Sequence, residues 1–116
     1  AQVTAAGSAI LAAMGEAASE AWLARHTLRT YTPYTISSTD QLRQQLAQVR
    51  RQGWALSEQQ MELNYRGIAV PLLDRNNDVH GAISITMPIN QESSEDATKR
   101  VLPVLQEAAR GLRPLL

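Results

Sequence analysis

The sequence contains no cysteine, which removes disulfides, thiolate metal sites and cysteine nucleophiles together and fits a reducing compartment. It has no surplus charge of either sign. Eleven Lys and Arg balance eleven Asp and Glu, so no basic excess is left to neutralise a run of phosphates, and these residues are not expected to touch DNA. No apolar run approaches the ~20 residues of a membrane helix, and Ala1-Gln2-Val3-Thr4 lacks the basic-then-apolar order of a signal peptide. A soluble cytoplasmic chain with no membrane partner is the expectation. The initiator Met is also absent and the chain begins inside a helical pattern, as a piece of a longer protein would.

The catalytic inventory is equally thin. There is no glycine-rich phosphate loop, no GxSxG elbow and no HExxH. His26 and His80 have no acidic or thiol partner at a familiar spacing, so neither a metal site nor a triad is expected. Glu58 and Glu62 fall four residues apart, but in a polar stretch that reads as a solvated loop rather than an acid–base pair. Arg50 and Arg51 read as a solvated helix face or a subunit contact. No enzymatic activity and no cofactor are expected.

What is present is a globular mix, 44% hydrophobic and 19% charged over 116 residues, enough for one domain that buries about two thirds of its unfolded surface. Thr4 to Met14 is Ala-rich, with Ile10, Leu11 and Met14 on one helical face, and Gly15 can stop it. Glu16 to Arg25 follows as a second helical stretch. The run from His26 to Ser38 has no helical period, and Pro33 makes it a connector. Ser38 or Thr39 caps a third helix, with Gln41 in capping-box position and Leu42, Leu46 and Val49 as its apolar stripe, ended by Gly53. A short strand over Trp54 to Leu56 precedes a hairpin: Tyr65 to Leu73, turn formers Asp74 to Asp78, and Val79 to Met87. Ser93 or Ser94 caps a last helix whose buried stripe is Val101, Leu102, Leu105, Ala109 and Leu112, kinked or divided by Pro103.

In a strand of period two, Tyr65, Gly67 and Ala69 share one face and Arg66, Ile68 and Val70 the other. The partner strand sorts Ala82, Ser84 and Thr86 from Ile83, Ile85 and Met87. The core is expected on the Ile and Val side. The Gly67, Ser84 and Thr86 face is small and carries hydroxyls, which gives room and donors for an oxygen-rich anion. Periodicity alone does not separate such a pocket from an ordinary half-exposed sheet face.

Several stretches together resemble the effector-binding domain of IclR-type transcription regulators. They are Thr4-Ala5-Ala6-Gly7-Ser8-Ala9-Ile10-Leu11-Ala12, Tyr31-Thr32-Pro33-Tyr34-Thr35-Ile36, Leu42 to Leu46 through Val49-Arg50 to Gly53-Trp54-Ala55, and Arg66-Gly67-Ile68-Ala69-Val70-Pro71-Leu72 through the hairpin to Ile83-Ser84-Ile85. They span nearly the whole chain in order. The resemblance implies an α+β, GAF-like fold, an antiparallel sheet flanked by helices, here without its N-terminal strands. It implies a partial effector-binding domain over residues 1–116, whose winged helix-turn-helix lies elsewhere in the intact regulator. The implied partners are a small organic acid effector, a second copy or more in a homodimer or tetramer, and DNA only through that absent domain.

Carried over position by position, Ala6 and Gly7 form the helix start facing the ligand. Ser57 stands where many members have Asp, Gly67 where several have Cys or Ser, and Tyr65 where an aliphatic residue is usual. Ser84 and Thr86 stand where members donate to the ligand carboxylate, and Asn64 replaces a usual Gly. Gly67 enlarges the implied pocket and Ser57 removes a charge, which favours a ring over a two- or three-carbon acid. The Tyr-Thr-Pro-Tyr-Thr stretch is similar to the branch that regulates aromatic-acid catabolism. An aromatic carboxylate such as a hydroxybenzoate is therefore the expected effector. A GAF-like interaction or oligomerisation domain without a ligand is the alternative.

Overall fold

A computed structural model describes residues 4–116 as four helices and three strands: α1 Ala5–Ala13, α2 Glu16–Arg25, α3 Thr39–Gln52, β1 Ala55–Glu58, β2 Tyr65–Leu73, β3 Val79–Pro88 and α4 Ser94–Leu112, with a final 3-10 turn at Arg113–Leu115. This is the α+β order that the sequence implies. Local chemistry sets the boundaries. The side chains of Thr4, Ser38 and Ser93 each accept a hydrogen bond from a backbone N–H in the first turn of α1, α3 and α4, removing one of the unpaired donors at each helix start. Gly53 ends α3 with φ +83°, a left-handed cap that a side chain would disfavour.

The strands form one antiparallel sheet in the order β1-β2-β3. Its hairpin turns on Asp74, whose side chain accepts from the N–H groups of Asn76 and Asp78 at 2.8 and 3.0 Å while Asn77 takes a left-handed φ. Such an Asx turn is why acidic and amide residues cluster there.

Each face of the sheet carries its own apolar cluster. Ile68 and Val70 pack against Ala97, Val101 and Leu105 of α4, the side on which the core is expected. A second cluster lies on the opposite face, where Ala55 and Ala69 meet α1, with α3 behind through Leu42, Leu46 and Val49. The Gly67 face is thus covered at its middle and open only toward one end. Small residues make this possible: Ala5, Ser8, Ala9 and Ala12 are the face of α1 that is buried, together with Leu11.

That corrects the expected stripe on α1. Met14 is exposed and Ile10 only half-buried, because short side chains let the helix backbone approach the sheet more closely than long ones would. On α4 the buried positions are Ala97, Val101 and Leu105; Leu102 and Ala109 pack at the margin and Leu112 is exposed. Pro103 does not divide the helix. It sits on the exposed side, where the carbonyl that loses its donor can be hydrated.

Polar ties join the helices. Arg50 donates to the Ala12 carbonyl at 3.0 Å and to Ser19 Oγ at 2.7 Å, so it braces the end of α1 against α2 instead of standing on a purely solvated face. Gln45 donates to Ser8 Oγ at 2.9 Å. Among the described residues no helix is long and apolar enough to cross a membrane.

Candidate functional site

Strand register brings the site together. Ser57 of β1, Gly67 of β2 and Thr86 of β3 are paired in one row across the sheet, and Ala55, Ala69 and Ser84 form the next row. Alternation puts both rows on the face that meets α1. Where α1 begins, at the uncovered end of that face, lies an open cavity of about 280 Å³. Its walls are the start of α1 at Thr4 to Ala6, the sheet positions Ser57, Tyr65, Gly67, Ser84 and Thr86, and the segment Gln60-Met61-Glu62 that links β1 to β2.

Six of the seven expected positions, Ala6, Ser57, Tyr65, Gly67, Ser84 and Thr86, therefore line one cavity. Gly7 is not on its wall; its N–H is taken by Thr4 Oγ1 at 2.9 Å, inside the first turn of α1. Gly67 leaves space where a side chain would stand: a Cβ there would lie 3.4 Å from Ala5 Cβ and 3.9 Å from Thr86 Oγ1. Ser84 and Thr86 sit exposed on edge strand β3, and no hydrogen bond among the described residues engages either hydroxyl.

The segment after β1 is not the solvated loop that its composition suggests. Gln60 is 7% exposed and forms part of the cavity wall. Two threonines of the connector hold it there. Thr32 Oγ1 donates to the Gln59 carbonyl and Thr35 Oγ1 to the Gln60 carbonyl. Each hydroxyl also organises its own loop, Thr35 Oγ1 accepting from the N–H groups of Tyr31 and Thr32 at 3.1 and 2.9 Å, and Thr32 Oγ1 from Tyr34 N–H at 3.0 Å. Gln59 and Asn64 both take left-handed φ values, 55° and 67°. Asn tolerates that conformation better than most residues.

Of the two charged residues on the cavity wall, Glu62 is exposed and Arg66 is committed elsewhere. Arg66, 4% exposed, points to the α4 side, its Nε 2.6 Å from Glu58 Oε1. It also donates from Nη1 to the carbonyls of Glu92 and Ser93 at 3.0 Å each. Glu58 is thereby part of a structural ion pair and not one half of an acid–base couple with Glu62. His80 finds an acidic partner that spacing did not suggest, Asp74 Oδ2 at 2.8 Å, and this hydrogen bond, with the backbone N–H of Asp78, holds the Asp74 carboxyl below its usual range. The pair lies at the hairpin end. Among the described residues no three His, Cys, Asp or Glu side chains gather as a metal site would require.

Comparison with known proteins agrees with this architecture. Residues 1–113 match the model of the bacterial transcriptional regulator IclR C-terminal region. The Pca operon regulatory protein of Acinetobacter baylyi is 33% identical over 116 residues, covering all of this chain and 42% of that protein. The chain thus spans under half the length of that relative. Among solved structures, the inducer-binding domain of the PobR transcription factor from Acinetobacter, a double mutant in complex with 3-hydroxybenzoic acid, superposes with a TM-score of 0.91 at 28% identity, covering 99% of this chain and 66% of that one. An IclR homologue from Microbacterium hydrocarbonoxydans complexed with 4-hydroxybenzoate gives a TM-score of 0.81 at 28% identity, covering 97% and 44%. The chain belongs to the IclR family of bacterial transcriptional regulators and corresponds to its C-terminal, effector-binding region.

Proposed function

We propose that this domain senses a small aromatic carboxylate, bound in the cavity between the start of α1 and the open end of the sheet, and passes that signal to DNA through the winged helix-turn-helix part of the intact regulator. The observation that carries the reading is the convergence of the Ser84 and Thr86 hydroxyls with the N-terminus of α1 on one cavity. Hydroxyls donate to a carboxylate, and the first N–H groups of a helix add the positive end of its dipole. A neutral donor set of this kind holds an anion without a buried cation, in keeping with the commitment of Arg66 to Glu58.

Size and lining favour a ring. About 280 Å³ is near the lower end of the range of roughly 300–1,000 Å³ typical of ligand sites. It exceeds what a two-carbon acid fills. Ala5, Ala6 and Gly67 supply a flat, small-residue wall against which a planar ring can lie, and Tyr65 and Met61 supply apolar surface at the rim. Two solved relatives hold hydroxybenzoates, which supports the same ligand class here. Effector binding then shifts the population of arrangements of an assembled regulator by its differential affinity for them.

Thermal unfolding against benzoate, hydroxybenzoates and pyruvate, each in excess, tests the proposal. An acid at 100 times its Kd adds about 2.7 kcal/mol, which moves the midpoint of a domain this size by several degrees. A selective rise with aromatic acids is the expected result. A cooperative transition that no acid moves would favour an interaction domain without a ligand.

A further inference from the structure

The walls of the cavity differ in how far they can yield. Ala5, Ala6 and Gly67 present backbone and single carbons. Gln60 is buried and its carbonyl accepts from Thr35, while Tyr65 is rooted in β2 and paired with Pro88 across the sheet. Met61 is unlike all of these. It lines the cavity yet is 56% exposed, and among the described residues it belongs to neither apolar cluster.

The main chain around Met61 is held and its side chain is not. Gln59 N–H donates to the Tyr65 carbonyl at 2.8 Å, Asn64 N–H to Gln59 Oε1 at 3.1 Å and Ile89 N–H to the Asn64 carbonyl at 2.7 Å, which pins both ends of the loop. A methionine side chain has three rotatable bonds and a polarisable thioether, so it fills irregular gaps that stiffer side chains cannot follow. Burial against an apolar ligand removes its exposed surface from water.

The position of this loop decides which end of a ligand it meets. The bond from Gln59 sets it beside the Tyr65 end of β2. Thr86 is paired with Gly67 and Ser84 with Ala69, two and four residues further along, which is roughly 7 and 13 Å from Tyr65. An acid whose carboxylate meets those hydroxyls extends its other end toward Met61.

Resting on the sensing role proposed above, we infer that Met61 is a specificity-determining residue: its side chain closes on the end of the effector remote from the carboxylate, and its volume limits how long an acid the cavity admits. The hydroxyls fix the acid group. Met61 ranks acids by length.

Two measurements on the chain test this. In the first, benzoate and 4-tert-butylbenzoate are titrated calorimetrically into the natural sequence, Met61→Ala and Met61→Leu, and each ligand-free protein is melted. The natural protein should prefer benzoate. Met61→Ala should move the ratio of the two affinities about tenfold or more toward the longer acid, and Met61→Leu, of similar volume, should stay near the natural ratio. Neither variant should melt lower without ligand, because Met61 lies outside both clusters. In the second, the natural protein is treated with dilute hydrogen peroxide and sulfoxide at each methionine is followed by mass spectrometry. Met61 and Met14, 56% and 42% exposed, should both oxidise in the free protein. Saturating benzoate should slow Met61 several-fold and leave Met14, which is not on the cavity wall, unchanged.

A natural protein that takes the longer acid as well as benzoate, benzoate that binds without protecting Met61, or a ratio unmoved by Met61→Ala each overturns the inference and leaves acid sensing standing. A lower ligand-free melting point with equal loss of both acids in Met61→Ala makes the residue structural and overturns it too. Failure of both acids to bind the natural protein overturns the sensing role and this inference together.

Discussion

Ala5 Cβ lies 3.4 Å from where a Cβ would stand at Gly67, so the start of α1 rests on the backbone of β2 with room for one carbon and little more. This contact fixes the depth of the cavity, because Gly67 is in the row that joins Ser57 to Thr86.

Replacing Gly67 by Cys should therefore fold and should shrink the site. A strand interior gains from any side chain over Gly, and the Cβ meets only ordinary contacts; the sulfur must then project into the cavity. Benzoate-sized ligands should lose at least about tenfold in affinity, a cost of roughly 1.4 kcal/mol typical of overpacking, while pyruvate binding should hold or improve. Titration of both acids against the variant checks this, and unchanged benzoate binding would place the ring elsewhere.

The two threonine clamps lead to a second expectation. Thr35→Val keeps the shape of the side chain but leaves the Gln60 carbonyl and the N–H groups of Tyr31 and Thr32 without their partner. The loss of stability should be about 1–3 kcal/mol, read from urea unfolding, with Thr35→Ser restoring most of it. If Val is tolerated without loss, the connector does not position the cavity wall.

These clamps also mark where the sequence was legible and where it was not. Periodicity located every helix and strand, since caps such as Ser38 and Gly53 and alternation such as Arg66, Ile68 and Val70 are local signals. Alternation along the hairpin set Gly67, Ser84 and Thr86 on one face, whereas Ser57 lay past the expected strand end at Leu56 and entered only through the family resemblance; β1 in fact runs on to Glu58. Burial of small residues was not legible: an Ala-rich helix does not announce that its Ala5, Ala9 and Ala12 side is the one packed on the sheet. Gln60 was illegible for a different reason. Its burial depends on hydrogen bonds from Thr32 to the Gln59 carbonyl and from Thr35 to its own, across 27 and 25 residues of sequence, and composition alone makes Ser-Glu-Gln-Gln look solvated. The one hint was a Thr-Pro-Tyr-Thr turn, whose hydroxyls are apt to bond backbone.

Arg66 offers a third prediction, about the scaffold under the site. Its guanidinium joins Glu58 of β1 to the carbonyls of Glu92 and Ser93 at the start of α4. Arg66→Met should destabilise by on the order of 2–3 kcal/mol, less than a fully buried pair would lose because Glu58 is partly solvated. Lysine should not rescue it, since one ammonium cannot serve three directions that a planar fork reaches. The double change Arg66→Met with Glu58→Met should recover part of the loss. A double variant no more stable than the single one would show that the backbone carbonyls, rather than the ion pair, are what Arg66 supports.

The acid limb of stability follows from carboxylates that folding depresses. Glu92 receives two bonds from Arg100, Nη2 to Oε1 at 2.7 Å and Nε to Oε2 at 3.0 Å, and these hold its carboxyl below the ordinary value of 4.5. Arg43 does the same to Glu20, and His80 with the turn N–H groups to Asp74. A carboxyl whose folded value is depressed binds protons more readily when unfolded, so its contribution is present above the unfolded value and is lost as pH falls through the folded one. Stability should thus be flat in this respect above about pH 5 and decline below about pH 4. Because all three pairs are solvent-exposed, added salt should shrink the effect. Arg100→Gln isolates one of them. NMR titration of the Glu92 carboxyl in that variant should move its midpoint up toward 4.5, and the decline of stability below pH 4 should become shallower. A midpoint that stays where it was would mean that Arg66, the more distant cation near Glu92, and not Arg100, holds the proton off.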